Sequence, residues 1–68
     1  MSKFNPPEWA RYFAQDADGW WAYYSAKPLP ITFAWWKVRV NVIKLYAYKG
    51  KPVKNWRDQL YRIEWREV

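Results

Sequence analysis

Sixteen of the 68 residues carry an aromatic ring (seven Trp, six Tyr and three Phe), and neither cysteine nor histidine accompanies them. A chain this short buries only about 60% of the surface it exposes when unfolded, and small scaffolds usually add a staple to a core so thin. Without Cys or His there is no disulfide, no zinc finger or ribbon, no thiol nucleophile and no imidazole base. The rings are left to supply the stability, each burying about 150–250 Å². Chains that stay disordered are poor in such residues. The expectation is therefore one ordered domain spanning residues 1–68, with little room for an enclosed catalytic cleft.

Charge is distributed unevenly. Lys3 and Arg11 against Glu8, Asp16 and Asp18 give residues 1–26 a balance of −1. Residues 27–54 hold Lys27, Lys37, Arg39, Lys44, Lys49, Lys51 and Lys54 with no acid, which is +7. Arg57, Arg62 and Arg66 cancel Asp58, Glu64 and Glu67 in residues 55–68, so the chain totals +6. A cationic block interleaved with rings suits a polyanionic partner if the charges share a face. A solvated surface that keeps an aromatic-rich chain soluble is the alternative.

Local signals favour strands. Pro6-Pro7-Glu8 allows one helical turn near the start. Asp18-Gly19 between two aromatic runs predicts a hairpin, with strands near 11–15 and 20–26; a helix continuing to Gln15 is the alternative. Lys27-Pro28-Leu29-Pro30 is a connector, because proline removes a ladder donor. Trp36, Val38, Val40 and Val42 alternate with Lys37, Arg39 and Asn41, the clearest period of two in the chain. The alternation slips at Val42-Ile43, where a bulge or tight turn is required. Because no Gly or Pro marks a turn there, the reading is one long bent strand ending before Gly50. Asn55-Trp56-Arg57-Asp58 fits a capped helical turn followed by a strand through Tyr61, Ile63 and Trp65, although Trp56, Leu60 and Ile63 also fit a helical stripe. The predicted fold is mainly β, a small antiparallel sheet of four or five strands with short helical turns. The alternative is α+β, with a terminal helix packed on the sheet.

Pro7-Glu8-Trp9-Ala10, Asp16-Ala17-Asp18-Gly19, the run Trp20 to Tyr24 with Lys27-Pro28, and Asn55-Trp56-Arg57-Asp58-Gln59-Leu60 form an ordered set. In that order they resemble a widespread group of short, tryptophan-rich accessory proteins of tailed bacteriophages. The likeness covers about half of the chain and leaves out the basic stretch from Trp36 to Lys54. It implies phage origin and a nonessential or host-directed role, and it assigns no activity to any residue.

Enzymatic chemistry is not expected. The acids available are Glu8, Asp16, Asp18, Asp58, Glu64 and Glu67. Asp16 and Asp18 fit turn hydrogen bonding better than an acid pair or a hard-cation site, and with two glycines there is no phosphate-cradling loop. No metal or cofactor is expected. For binding, Lys37 and Arg39 share one strand face, which Lys44, Tyr46 and Tyr48 continue if the slip realigns them, and the loop cations Lys49, Lys51 and Lys54 add attraction. Such a face suits single-stranded nucleic acid or a nucleotide, with tyrosines stacking on bases; packing of the tyrosines across a sheet is the competing use. A second reading is a host-directed inhibitor that binds a bacterial protein through Trp, Tyr and Arg. Its interface candidates are the doublets Trp20-Trp21 and Trp35-Trp36, because strand neighbours point to opposite faces and one ring of each pair is left outside. No apolar run approaches the roughly 20 residues that span a bilayer and no secretory leader pattern opens the chain. The expected location is the cytoplasm, that of the bacterial host if the origin is phage, with no membrane partner.

Overall fold

A computed structural model describes residues 4–31 and 33–65. The fold is mainly β. Strands β1 (Tyr12–Gln15), β2 (Trp20–Tyr24), β3 (Lys44–Lys49) and β4 (Leu60–Arg62) form one antiparallel sheet in the order β3-β2-β1-β4. A 3-10 turn at Trp56–Asp58 precedes β4, and no α-helix occurs among the described residues. The α+β alternative is thereby excluded for them, and residues 56–62 take the turn-then-strand course, the strand ending at Arg62, short of the expected Ile63 and Trp65.

The β1–β2 hairpin forms where the Asp-Gly signal predicts it. Tyr12 faces Tyr24 and Gln15 faces Trp21. The Gly19 amide donates to the Asp16 carbonyl (3.0 Å), and the Asp16 amide to the Trp20 carbonyl (2.8 Å). Gly19 sits at φ +99°, which an L side chain rarely adopts. Its carbonyl accepts the Gly50 amide at 2.8 Å, and a Cβ on Gly19 would lie 2.3 Å from the Gly50 carbonyl oxygen. The hairpin tip and the loop after β3 thus meet backbone to backbone. Near the start of the chain, the helical turn expected after Pro6-Pro7 is a single reverse turn closed by the Ala10 amide on the Pro7 carbonyl (3.0 Å).

The single long bent strand expected from Trp36 to just before Gly50 does not form, and only its second half is strand, as β3. Lys37 makes an isolated bridge to Leu29, and the chain then turns back before β3, with the Val42 amide on the Arg39 carbonyl (3.2 Å) and Asn41 at φ +71°. Asparagine is among the few residues that tolerate this conformation, so it supplies the turn that Gly or Pro was expected to mark. The valines accordingly do not tile a sheet: Val40 is 88% exposed. A bulge does occur, but inside β3. Tyr48 faces Trp21 and Tyr46 faces Ala22, which leaves Ala47 as the extra residue.

Side-chain alternation builds a different core on each face of the sheet. On one, the small cross-strand pair Ala14 and Ala22 leaves space for Trp36 and Trp56, whose rings meet edge to face at 5.8 Å above Tyr24 and Leu60. On the other, Phe13 stacks on Trp21 (4.6 Å between centroids) and Tyr23 (5.1 Å), with Phe4 edge-on at 5.0 Å. Aromatic pairs of these geometries contribute about 0.5–1.5 kcal/mol each beyond the area they bury. Rings thus supply most of the bulk of both cores, packed on small Ala10, Ala14 and Ala22.

Candidate functional sites

The bulge at Ala47 divides the predicted basic and aromatic surface. Lys44 and Tyr46 share the face of β3 that carries the Trp36 core, whereas Tyr48 is turned to the other face, against Phe13 (6.2 Å) and Trp21 (6.4 Å). The competing use, packing across the sheet, holds for Tyr48. Tyr46 is 55% exposed and stands edge-on to Trp20 at 5.6 Å, and exposed Lys49 pairs with Trp20 across the strands. Lys44, Tyr46 and Lys49 are thus brought together with Trp20. Lys37 and Arg39 are exposed but lie on the segment between Leu29 and β3, and Lys51 and Lys54 lie in the loop before the 3-10 turn.

Lys44 is committed locally. Its ammonium lies 3.6 Å from Asp16 Oδ2, 4.5 Å from the centre of the Tyr46 ring and 5.5 Å from that of Tyr24. Asp16, buried at 4% exposure, also accepts the Trp36 amide through Oδ1 (2.9 Å). Burial raises the pKa of its carboxyl group above the ordinary 3.8, opposed by the Trp36 hydrogen bond and by Lys44. Asp18 Oδ1 accepts the Trp20 amide (3.2 Å), a local turn bond as expected.

One Trp doublet divides into a buried and an exposed ring as expected, and the other does not. Trp36 is 2% exposed, with its indole Nε1 donating to the Gln15 carbonyl (2.8 Å), while adjacent Trp35 is 53% exposed. In the other doublet both rings are half-buried, Trp20 against Tyr46 and Trp21 on Phe13. Trp35 belongs to a segment that the fold holds at several points. The Ala34 carbonyl accepts the Ala17 amide (2.9 Å), Lys37 and Leu29 exchange two backbone bonds, and the Ile43 amide donates to Ser25 Oγ (2.8 Å). On this segment the side chains of Ile31, Phe33, Val40 and Ile43 are exposed, Phe33 at 95%.

A third feature was not legible in the sequence. Arg11, Arg62, Ile63, Glu64 and Trp65 line an open groove of about 500 Å³ where the start of β1 meets the chain leaving β4. The Trp65 indole is held by its Nε1 hydrogen bond to the Ala10 carbonyl (2.8 Å). β1–β4 pairing joins these residues from opposite ends of the chain, and no local spacing encodes that.

No helix among the described residues is long and apolar enough to cross a membrane. No protein-family model matches the chain, and comparison with curated proteins and with solved structures returns no significant match.

Proposed function

We propose that the protein is a phage-type accessory binding protein without enzymatic activity, and that it acts in the bacterial cytoplasm by docking on a host protein through residues 31–43. The observation that carries this reading is the exposure of Phe33 and Val40, 95% and 88%, on a segment whose root is fixed by buried Trp36. Several large apolar side chains left exposed in one short stretch of chain are what an interaction surface would use. Lys37 and Arg39 lie among them, and residues 27–54 contain no acid. The complementary partner is a protein with an apolar cleft edged by carboxylates, since opposite charge at a rim steers encounter and fixes register.

A photo-crosslinking residue at position 33 tests this in bacterial lysate treated with nuclease, with position 57 as the control site. One acidic-rimmed protein is expected to crosslink from position 33 and not from 57. Purified, that partner is expected to lose about tenfold or more in affinity with Phe33→Ser, the scale of an interface hot spot, and to bind less tightly as salt rises. Equal crosslinking from both positions, or unchanged affinity with Phe33→Ser, overturns the reading.

The second reading, single-stranded nucleic acid or a nucleotide on a basic and aromatic face, is favoured by the cluster of Trp20, Tyr46, Lys44 and Lys49. It predicts salt-sensitive oligonucleotide binding that falls on Tyr46→Ala, because a base stack contributes about 1–3 kcal/mol. Lys44 already faces Asp16, and Lys37 and Arg39 stand on another segment, so the geometry supports docking better.

A further inference from the structure

We propose that the groove between the start of β1 and the chain leaving β4 binds a nucleoside monophosphate, with Trp65 stacking on the base and Arg11 and Arg62 holding the phosphate. The site uses no residue of 31–43 and does not depend on the docking reading.

The groove volume of about 500 Å³ falls within the roughly 300–1,000 Å³ typical of small-molecule sites. Its walls combine the two chemistries that a mononucleotide presents. Trp65 is 50% exposed, and its bond to the Ala10 carbonyl fixes the orientation of the ring. An indole fixed before binding offers a stacking surface at low entropic cost. On the cationic side, Arg11 Nη1 donates to the carbonyls of Glu8 (2.7 Å) and Ala10 (3.1 Å). Those bonds pin the guanidinium but leave its Nε and Nη2 donors unspent by them, and a planar fork of this kind matches a phosphate. Arg62 is exposed on β4, and the Ile63 amide on the Arg11 carbonyl (2.8 Å) ties the two arginine-bearing segments together. Glu64 is the one acid among the lining residues, so two arginines and one carboxylate leave the groove at +1. This balance favours an anion, and Glu64 moderates the affinity.

The test is a titration of the ¹⁵N-labelled protein with adenosine monophosphate, following the Trp65 indole N–H resonance, which is identified by its loss in Trp65→Phe. A saturable shift is expected. Arg62→Gln, checked for an otherwise unchanged spectrum, is expected to weaken binding by about tenfold, the scale of one charge-assisted hydrogen bond. Glu64→Gln is expected to tighten it. Adenosine and inorganic phosphate, each carrying half of the chemistry, are expected to bind more weakly than the nucleotide. The proposal is overturned by a nucleotide that produces no saturable shift at millimolar concentration, by undiminished affinity in a folded Arg62→Gln protein, or by inorganic phosphate that binds as tightly as the nucleotide.

Discussion

The Tyr24 hydroxyl is fully buried in the cluster that contains Trp36, and it has no hydrogen-bond partner among the described residues. Burial and the neighbouring Asp16 carboxylate push its pKa well above that of an ordinary phenol, so it stays neutral and unsatisfied. Tyr24→Phe is expected to stabilise the fold by about 1 kcal/mol, the desolvation cost of a lone buried hydroxyl, read as a higher urea midpoint at unchanged slope. Asp16 has the opposite problem, because its charge is useful but buried. Its folded pKa lies above the unfolded value, so the folded state holds the proton more tightly. The stability associated with it is fully present below the unfolded value near 3.8 and is lost as pH rises through the folded one. Asp16→Asn keeps an acceptor for the Trp36 amide and removes that titration. Urea midpoints measured from acid to neutral pH are therefore expected to show the variant gaining on the parent as pH rises above about 4.

Among the elements, the hairpin of β1 and β2 was readable because its determinant is local: Asp-Gly fixes the turn, and the flanking rings fix which residues face each other. The 3-10 turn before β4 was readable for the same reason, although the Asn55 side chain makes no capping bond. Residues 38–43 misled because alternating β-branched residues state a preference for extended backbone and cannot state whether a partner strand is available. Sheet neighbours are decided by chain-distant pairing, and β2 takes β3 at Lys44–Lys49 instead. The bulge at Ala47 was equally invisible, since no glycine announces it, yet it decides that Tyr46 and Tyr48 never share a surface. The groove is an extreme case, with Trp65 and Ala10 joined across 55 positions. Because the turn before β3 depends on the positive φ of Asn41, Asn41→Val is expected to cost about 1–2 kcal/mol and Asn41→Gly much less. Hydrogen exchange should report this as faster exchange near Val42, with β1 and β2 amides still among the most protected.

At the level of the whole molecule, the cationic block of residues 27–54 also carries Ile31, Phe33, Val40 and Ile43, four of the exposed apolar side chains. Positive charge beside apolar side chains is expected to hold copies apart while the apolar groups remain available. Replacing Lys37 and Arg39 with Gln lowers the net charge from +6 to +4 and leaves Phe33, Val40 and Ile43 as they are. The doubly substituted protein is expected to self-associate at concentrations where the parent is monodisperse, measured by sedimentation velocity at low salt. Equal sedimentation of the two would show that the cations do not guard the apolar segment.

The contact between Gly19 and Gly50 has a mechanical consequence. The chain contains two glycines, and both are spent at one point, where neither leaves room for a side chain: a Cβ on Gly50 would stand 2.9 Å from Trp21 Nε1. Gln15 reinforces the junction by donating to the carbonyls of Gly19 (3.1 Å) and Lys51 (2.9 Å). The stretch bearing Lys51 is therefore clasped to the far end of the first hairpin, and a ligand that pulled on it would strain that hairpin before it could swing the stretch free.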